Sequence, residues 1–175
     1  MDASLRREQI LNKISSEEPS VSASLLAKEL NVSRQIIVGD VALLRAQGHE
    51  IIATARGYTT ISKLRGENQY LGKIACQHAS GNIKTELYTI VDSGAIVVNV
   101  IIEHELYGDI TGNLNLRNRK DADAFMKKVK TSNVKLLSEL TQGVHLHTIA
   151  CRDKAHFEQI THALEENGIL FRGQS

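Results

Sequence analysis

Two short apolar stripes separated by a tight turn occupy residues 22–47 and constrain the fold more than any other feature. The stripes consist of Leu25, Leu26 and Leu30 and of Ile37, Val41 and Leu44, and the second has the i, i+4, i+7 spacing of a helix face. Asn31 tolerates the left-handed conformation that ends a helix, and Ser33 can cap the start of the next one. The pattern predicts a helix-turn-helix.

The second helix of this motif opens with the residue types that read DNA. Ser33, Arg34 and Gln35 stand at its first turn, where a helix-turn-helix meets base edges. Arg can bond guanine bidentately and Gln can bond adenine in the same way. An ordinary helical hairpin with solvated polar residues is the alternative interpretation.

The flanking segments complete a winged helix. Residues 4–16 have the spacing of a helix that can pack behind the motif, and Gly48 follows the motif's second helix as a terminator. Residues 51–54 and 58–61 are β-branched runs around a turn that contains Gly57, which is a hairpin signal. Three helices and a hairpin predict a winged-helix domain over residues 1–62, with Arg56 at the tip of the wing.

This segment resembles the winged helix of the biotin-repressor type, most clearly in VSRQIIVGDVALLRAQGHEIIATARGY. The resemblance implies that Arg56 contacts a phosphate or the minor groove while the second helix enters the major groove. Gly39 stands in the middle of that helix, where glycine costs about 1 kcal/mol relative to alanine. Neutral drift is the preferred interpretation of Gly39, and a close approach to DNA is the alternative.

Composition sets further limits on function. The 175 residues carry a formal net charge of +1, which counts mildly against DNA binding, although basic residues can still cluster on one face. Those residues are Arg6, Arg7, Lys28, Arg34, Arg45 and Arg56. Two distant cysteines give no disulfide framework, and we find no signal peptide or apolar run long enough to span a bilayer. We therefore expect a cytoplasmic protein that does not enter a membrane.

The remainder predicts a mixed α+β domain over residues 70–175, after a polar linker at residues 62–69. The expected strands are 71–78, 95–103, 109–116, 144–151 and 169–172, and the expected helices are 82–92, 121–129, 132–141 and 153–167. This order favours an antiparallel-rich sheet with helices on one side. The fold class expected for the chain is thus α+β, a winged helix-turn-helix followed by this mixed domain.

Histidines mark a candidate site in this domain. His145 and His147 are one residue apart on a strand and therefore share a face, as metal ligands or as a polar pocket wall. His78 ends an earlier strand, and Glu86 lies on the helix that follows. Three imidazoles and a carboxylate form a plausible set of ligands for Zn, Ni, Fe, Mn or Co.

Residues 72–171 resemble the three-histidine domain that follows this winged helix in niacin-responsive repressors. The match is carried by His78 with Glu86, by IEHELYGDITGNL from Ile102 and by GVHLHTI from Gly143. The resemblance implies one metal ion bound by His78, Glu86, His145 and His147, with nicotinate as corepressor. We expect His104 and Tyr107, within the matching segment, to contact this ligand; a surface or turn histidine is the alternative for His104. Cys76 and Cys151 are interpreted as small core residues.

The sequence therefore predicts a repressor of niacin uptake and NAD synthesis genes. We expect a homodimer that binds double-stranded operator DNA and is not an enzyme. A repressor that senses the metal itself and a metal-dependent enzyme acting on a small molecule are the alternatives. A biotin-ligase fusion is disfavoured, since no glycine-rich phosphate loop follows the winged helix.

Overall fold

The computed structural model describes residues 1–17 and 19–173. Glu18, Gln174 and Ser175 lie outside the described residues, and with them part of the expected loop at 15–20 and the end of the expected second domain. The chain divides into two compact units, Met1–Gly66 and Glu67–Ser175.

The first unit is a winged helix, as the sequence predicted. Its elements are α1 (Ala3–Ser16), α2 (Ala23–Glu29), α3 (Arg34–Ala46), β1 (Ile52–Thr54), β2 (Gly57–Thr59) and α4 (Ile61–Arg65). The side chains of Asp2, Ser22 and Ser33 cap the first three helices by accepting backbone N–H groups. The core is mostly aliphatic and includes Ile10, Ile14, Leu26, Ile37, Val41 and Leu44.

Helix α4 occupies part of the segment expected to be a linker. The Thr60 side chain caps it, Leu64 is buried, and the Lys63 ammonium donates to the carbonyls of Ile14 and Glu17. One buried leucine and a lysine that caps the end of α1 are enough to fold this polar stretch back onto the winged helix. Sequence composition alone suggested only an extended connection.

The second unit is the expected mixed α+β domain. Its elements are β3 (Tyr70–Gln77), a 3-10 turn (Ser80–Asn82), α5 (Ile83–Asp92), β4 (Ile96–His104), β5 (Gly108–Leu116), α6 (Arg119–Thr131), a second 3-10 turn (Leu137–Thr141), β6 (Val144–Cys151) and α7 (Lys154–Glu166). The strands form an antiparallel sheet in the order β3-β6-β4-β5.

Helices α5 and α7 contact the same face of this sheet. Cys76 in β3 is paired with His145 in β6, and both side chains belong to the face on which Glu86 of α5 lies. Gly72 has the same parity as Cys76, and a Cβ on it would clash with Phe157 of α7. The prediction of helices on one side of an antiparallel sheet is therefore confirmed for these elements.

Two local predictions were wrong. Residues 132–141 do not form one helix: the chain is irregular up to Leu136, and Leu137 then begins a 3-10 turn. The reason is tertiary, because Leu137 packs beside Gly112 in β5, where a Cβ would lie 3.3 Å from the leucine. The expected last strand, 169–172, is reduced to a single bridge between Leu170 and Cys76.

Candidate functional site

Helix α3 presents its first turn to solvent. The Ser33 hydroxyl accepts the Ile36 N–H at 3.2 Å, which starts the helix, and the side chains of Arg34 and Gln35 are exposed. The opposite side of α3 carries the buried residues Ile37 and Val41. The polar residues expected to read DNA are thus accessible, as such a role requires.

A buried carboxylate holds α3 against α1. Asp40 accepts bonds from Arg6 at 2.6 Å and 3.3 Å, and Arg7 lies 3.6 Å away. The hydrogen bond to Asp40 raises the pKa of Arg6. Sequence analysis had counted Arg6 and Arg7 among residues free to face DNA and had missed Asp40. The sequence feature that indicates Asp40 is an acidic residue within the apolar stripe of α3.

The wing is a tight two-stranded hairpin. The Thr54 hydroxyl accepts the Arg56 N–H at 3.1 Å and donates to the Gly57 carbonyl at 2.8 Å. The Arg56 carbonyl also accepts a bond from the Ser20 hydroxyl, and Arg56 is half-buried. The structure therefore fixes the backbone of Arg56 at the wing turn, and its contact with DNA stays a prediction.

In the second unit, three imidazoles converge on one carboxylate. Glu86 Oε2 lies 2.6 Å from His78 Nε2 and 2.9 Å from His145 Nε2, and Oε1 lies 2.7 Å from His147 Nε2. The four side chains are only 2–3 % exposed. β6 places His145 and His147, His78 follows β3, and Glu86 stands in the first turn of α5, where a helix dipole favours a negative charge.

The second nitrogen of each imidazole, Nδ1, determines which nitrogen carries the proton in the neutral ring. Nδ1–H donates to a backbone carbonyl in each case: His78 to Ala79 at 2.7 Å, His145 to Gly143 at 2.8 Å, and His147 to Asn99 at 2.8 Å. A carbonyl only accepts, so Nδ1 carries a proton. In a neutral ring, Nε2 then directs a lone pair at the carboxylate, which also only accepts.

The charge on Glu86 dominates the titration of this cluster. Burial would raise the pKa of Glu86, but the charge of His147 and the hydrogen bonds from the histidines hold it well below its usual value. Burial would likewise lower the pKa of His78 and His147, but the bond to Glu86 and its charge outweigh this and raise both. The carboxylate therefore stays ionised and favours the protonated forms of His78 and His147.

Cys76 lies beside this cluster. Ligand atoms of Cys76, Glu86 and His145 all lie within 4.8 Å of one another, and the cysteine is fully buried. Burial and the charge of Glu86 raise the pKa of its thiol. Its burial agrees with the interpretation as a core residue. Its sulfur is also close enough to Glu86 and His145 to serve as a soft donor.

A small apolar cavity of about 40 Å³ opens beside the histidines. Its walls come from α5, α6, two strands and the segment around Leu137, and comprise Ile83, Leu87, Val100, Leu114, Phe125, Leu136, Leu137 and Ser138. Apolar walls with a few polar groups at one end are the kind of lining that small-molecule sites have, although the closed volume is smaller than that of most such sites. Sequence reasoning had not identified these walls.

His104 and Tyr107 do not line this cavity. His147 is paired with Val100, a cavity residue, whereas His104 lies four residues further along β4, roughly 13 Å at strand spacing. His104 and Tyr107 instead stack on each other at the β4–β5 turn, with ring centroids 5.3 Å apart, and Tyr107 is 73 % exposed. The expected contact of His104 and Tyr107 with a ligand stays a prediction.

A winged helix followed by an α+β domain with an apolar, polar-ended cavity is an architecture typical of a DNA-binding transcription regulator. Residues 6–59 match the HTH domain family, and residues 72–173 match the 3H domain family. The chain is 41% identical over 168 residues to the Transcription repressor NadR of Bacillus subtilis, covering 95% of this chain and 93% of that protein. It is 39% identical over 155 residues to the Probable transcription repressor NiaR of Thermotoga maritima, covering 89% and 86%. The chain belongs to the niacin-responsive transcription repressor family.

These matches confirm that the chain is a transcription repressor with an operator-binding domain, and that it is a regulator and not an enzyme. Among residues 1–17 and 19–173, no helix combines the length and the apolar character needed to cross a bilayer.

Proposed function

We propose that His78, Glu86, His145 and His147 bind one divalent transition metal ion. Without a cation, each neutral imidazole directs an unshared lone pair at the carboxylate, and each protonated imidazole after the first adds a buried positive charge that Glu86 does not neutralise. A cation among these atoms removes the conflict, and imidazole with carboxylate suits Zn, Ni, Fe, Mn or Co. The carbonyl bonds at Nδ1 are the usual means of orienting histidine ligands.

The effector that we propose is nicotinate, acting as corepressor. When bound, the cation would supply positive charge for the ligand's carboxylate and, for a metal that takes more than four ligands, a position at which that carboxylate can bind. Leu114, Phe125 and Leu137 bind a flat ring by apolar contact and exclude water from it. The convergence of three imidazoles on Glu86 at the end of this apolar cavity is the observation that supports the proposal best.

On DNA, we propose that Ser33, Arg34 and Gln35 read the major groove and that Arg56 contacts the backbone or the minor groove. A homodimer would present two copies of α3 to a palindromic operator near genes of niacin uptake or NAD synthesis. Nicotinate acts as corepressor if it binds the operator-competent arrangement more tightly than the other, since an effector shifts an equilibrium only by its differential affinity.

The test combines metal analysis with DNA binding by the full chain. Metal content is measured on purified protein, and binding is measured to a duplex that the wild-type protein selects from a random pool. We expect nicotinate to tighten binding of the metal-loaded protein by about 5–150-fold, the usual range of coupling between sites. Nicotinamide, with the same ring and no carboxylate charge, is the matched control and should have little effect. Equal responses of metal-free and metal-loaded protein would remove the metal from recognition.

The metal ion itself is a second candidate effector. The donor set is complete from the chain's own side chains, so an ion could order the domain without any ligand. In that case duplex binding would respond to metal alone and nicotinate would add nothing. The same titrations distinguish the two proposals.

A further inference from the structure

Gly39 occupies the solvent-facing side of α3, one helical turn after Gln35. Successive residues of a helix are separated by about 100°, so Gly39 lies on the opposite side of α3 from the buried Ile37 and Val41. Gly39 is exposed, as are Gln35 and Ala42 on the same side. This side of the helix is therefore polar at its start and carries small side chains at Gly39 and Ala42, with the exposed Leu43 at its edge one turn further along.

The fold gives no reason for glycine at this position. Gly39 lies inside a regular helix with a negative φ, and no heavy atom lies within 4 Å of the place its Cβ would occupy. Gly57 shows the contrast: it has φ +119°, and a Cβ there would lie 2.5 Å from the Val21 carbonyl oxygen. An alanine at position 39 would fit the unit as it stands and would favour the helix.

The lack of a side chain at position 39 is not required by the fold, but it can be required by the ligand. The ligand of the second helix of a helix-turn-helix is duplex DNA. A helix with its side chains is about 10–12 Å across, close to the roughly 12 Å width of the major groove, so depth of entry is limited by the outward side chains. The Gln35 amide has only a short reach, and bidentate contact with adenine requires its helix to lie deep. Removing the Cβ one turn further along permits that depth.

We infer that Gly39 is a specificity-determining residue of the operator contact, which admits α3 to the depth at which Gln35 bonds a base edge. The inference goes beyond the proposed reading of DNA by α3 and rests on it. Gly39 contributes no bond of its own and acts by leaving space. A side chain at this position should weaken binding to the operator more than binding to unrelated DNA, because non-specific binding depends on phosphates and not on base contact.

The test compares Gly39→Ala with two other variants of the full chain, Asn12→Ala and Gln35→Ala. Asn12 is exposed on α1, so its replacement favours a helix of the same unit without altering α3. Each protein is measured for its melting temperature and for affinity to a duplex selected by the wild type and to a scrambled duplex at the same salt concentration. We expect the melting temperature of Gly39→Ala to be a few degrees higher than that of the wild type. Its affinity for the selected duplex should be lower by about tenfold or more, which corresponds to the loss of one bidentate contact. Its affinity for the scrambled duplex should not change.

Three outcomes would overturn this assignment or its basis. If Gly39→Ala binds the selected duplex as tightly as the wild type does, neutral drift explains the glycine. A lower melting temperature together with weaker binding would also refute it, because the side chain would then disturb the fold itself. If Gln35→Ala binds the selected duplex as tightly as the wild type does, the proposal that Gln35 reads a base is wrong as well. If only Gly39→Ala keeps wild-type affinity, Gln35 still reads the operator, but Gly39 does not set the depth of α3.

Discussion

Glu86 is the residue on which the proposed metal site depends most, because all three Nε2 atoms contact its carboxylate. Glu86→Gln keeps the shape of the side chain and removes the charge that a cation needs. We expect metal affinity of the full chain to fall by at least about 10–100-fold, since even outer partners of metal ligands contribute that much. Elemental analysis and competition with a chelator measure this directly.

Glu158→Gln is the matched control, since Glu158 is an exposed carboxylate on α7 of the same unit. It should retain metal at the wild-type level. The double change His145→Ala and His147→Ala should lose the metal while the far-ultraviolet circular dichroism remains that of the wild type. Metal at wild-type stoichiometry in Glu86→Gln and in this double variant would place the ion elsewhere.

The four residues of this cluster could be selected from sequence because local rules place them. His145 and His147 share a face by strand parity, and Glu86 begins a helix that returns to the same sheet. The cavity walls could not be selected in this way. Phe125 lies on α6 and Leu137 in an irregular segment, and only the packing of distant elements brings both to the histidines. Any apolar residue of these elements was an equal candidate before the sheet order was known.

At the scale of elements, the wing depends on the absence of a side chain at Gly57. Its φ of +119° and a Cβ position 2.5 Å from the Val21 carbonyl oxygen exclude other residues. Val21 and Tyr58 exchange backbone bonds of 3.0 Å and 2.8 Å beside it. Gly57→Ala should destabilise the first unit by roughly 1–2 kcal/mol from the backbone conformation alone, and further through the clash. Faster hydrogen exchange of the Val21 and Tyr58 amides would report it.

Gly48→Ala separates the two contributions to that cost. Gly48 also has a positive φ, +98°, but nothing lies within 4 Å of its Cβ position. It should therefore show the backbone cost without the clash, and a smaller effect on the Val21 and Tyr58 amides. Equal effects of the two substitutions would show that the contact of the wing with Val21 does not contribute.

The contact between α1 and α3 depends on Asp40, which is 4 % exposed and bonded to Arg6. Asp40→Ala should destabilise the first unit by about 1–3 kcal/mol, because it leaves partly buried donors without their acceptor. Urea denaturation of the full chain, monitored by the fluorescence of a label attached to α3, measures this loss of stability. With Arg6→Ala as the second member of a double-mutant cycle, the combined loss should be smaller than the sum of the single losses. Strict additivity would mean that the ion pair is not energetically coupled.

Element types were predictable where the repeat in the sequence was regular. Strand β6 (Val144–Cys151) and the amphipathic helix α7 (Lys154–Glu166) match their expected positions closely. Residues 132–141 have a helical spacing but no helix, because the packing of the half-buried Leu137 against the sheet competes with a short exposed helix, which is marginal on its own. Helix α4 was missed for the converse reason, since Leu64 and the bonds of Lys63 make it stable only within the folded unit.

At the scale of the whole molecule, the net charge is near zero, so a few basic residues must supply most of the attraction to DNA phosphates. Arg6 and Arg7 are partly engaged by Asp40, whereas Lys28, Arg34 and Arg45 are exposed on the first unit. Non-specific affinity depends on the number of phosphates neutralised, so it should be modest. Most of the affinity for the operator must then come from base contacts, and a coupling of about 1–3 kcal/mol to the proposed effector would be enough to change operator occupancy.

The effector and the operator must therefore influence each other equally. If nicotinate tightens operator binding of the metal-loaded protein by some factor, operator DNA must tighten nicotinate binding by the same factor, since the two routes to the ternary complex have one total free energy. Titrating nicotinate into protein alone, into protein with the selected duplex and into protein with a scrambled duplex measures this factor, which should lie within about 5–150-fold. The scrambled duplex should give a smaller change. A factor near unity with the selected duplex would show that the cavity of the second unit and helix α3 of the first are not coupled. In that event nicotinate would be only a bound ligand, even with the histidine site fully occupied by metal.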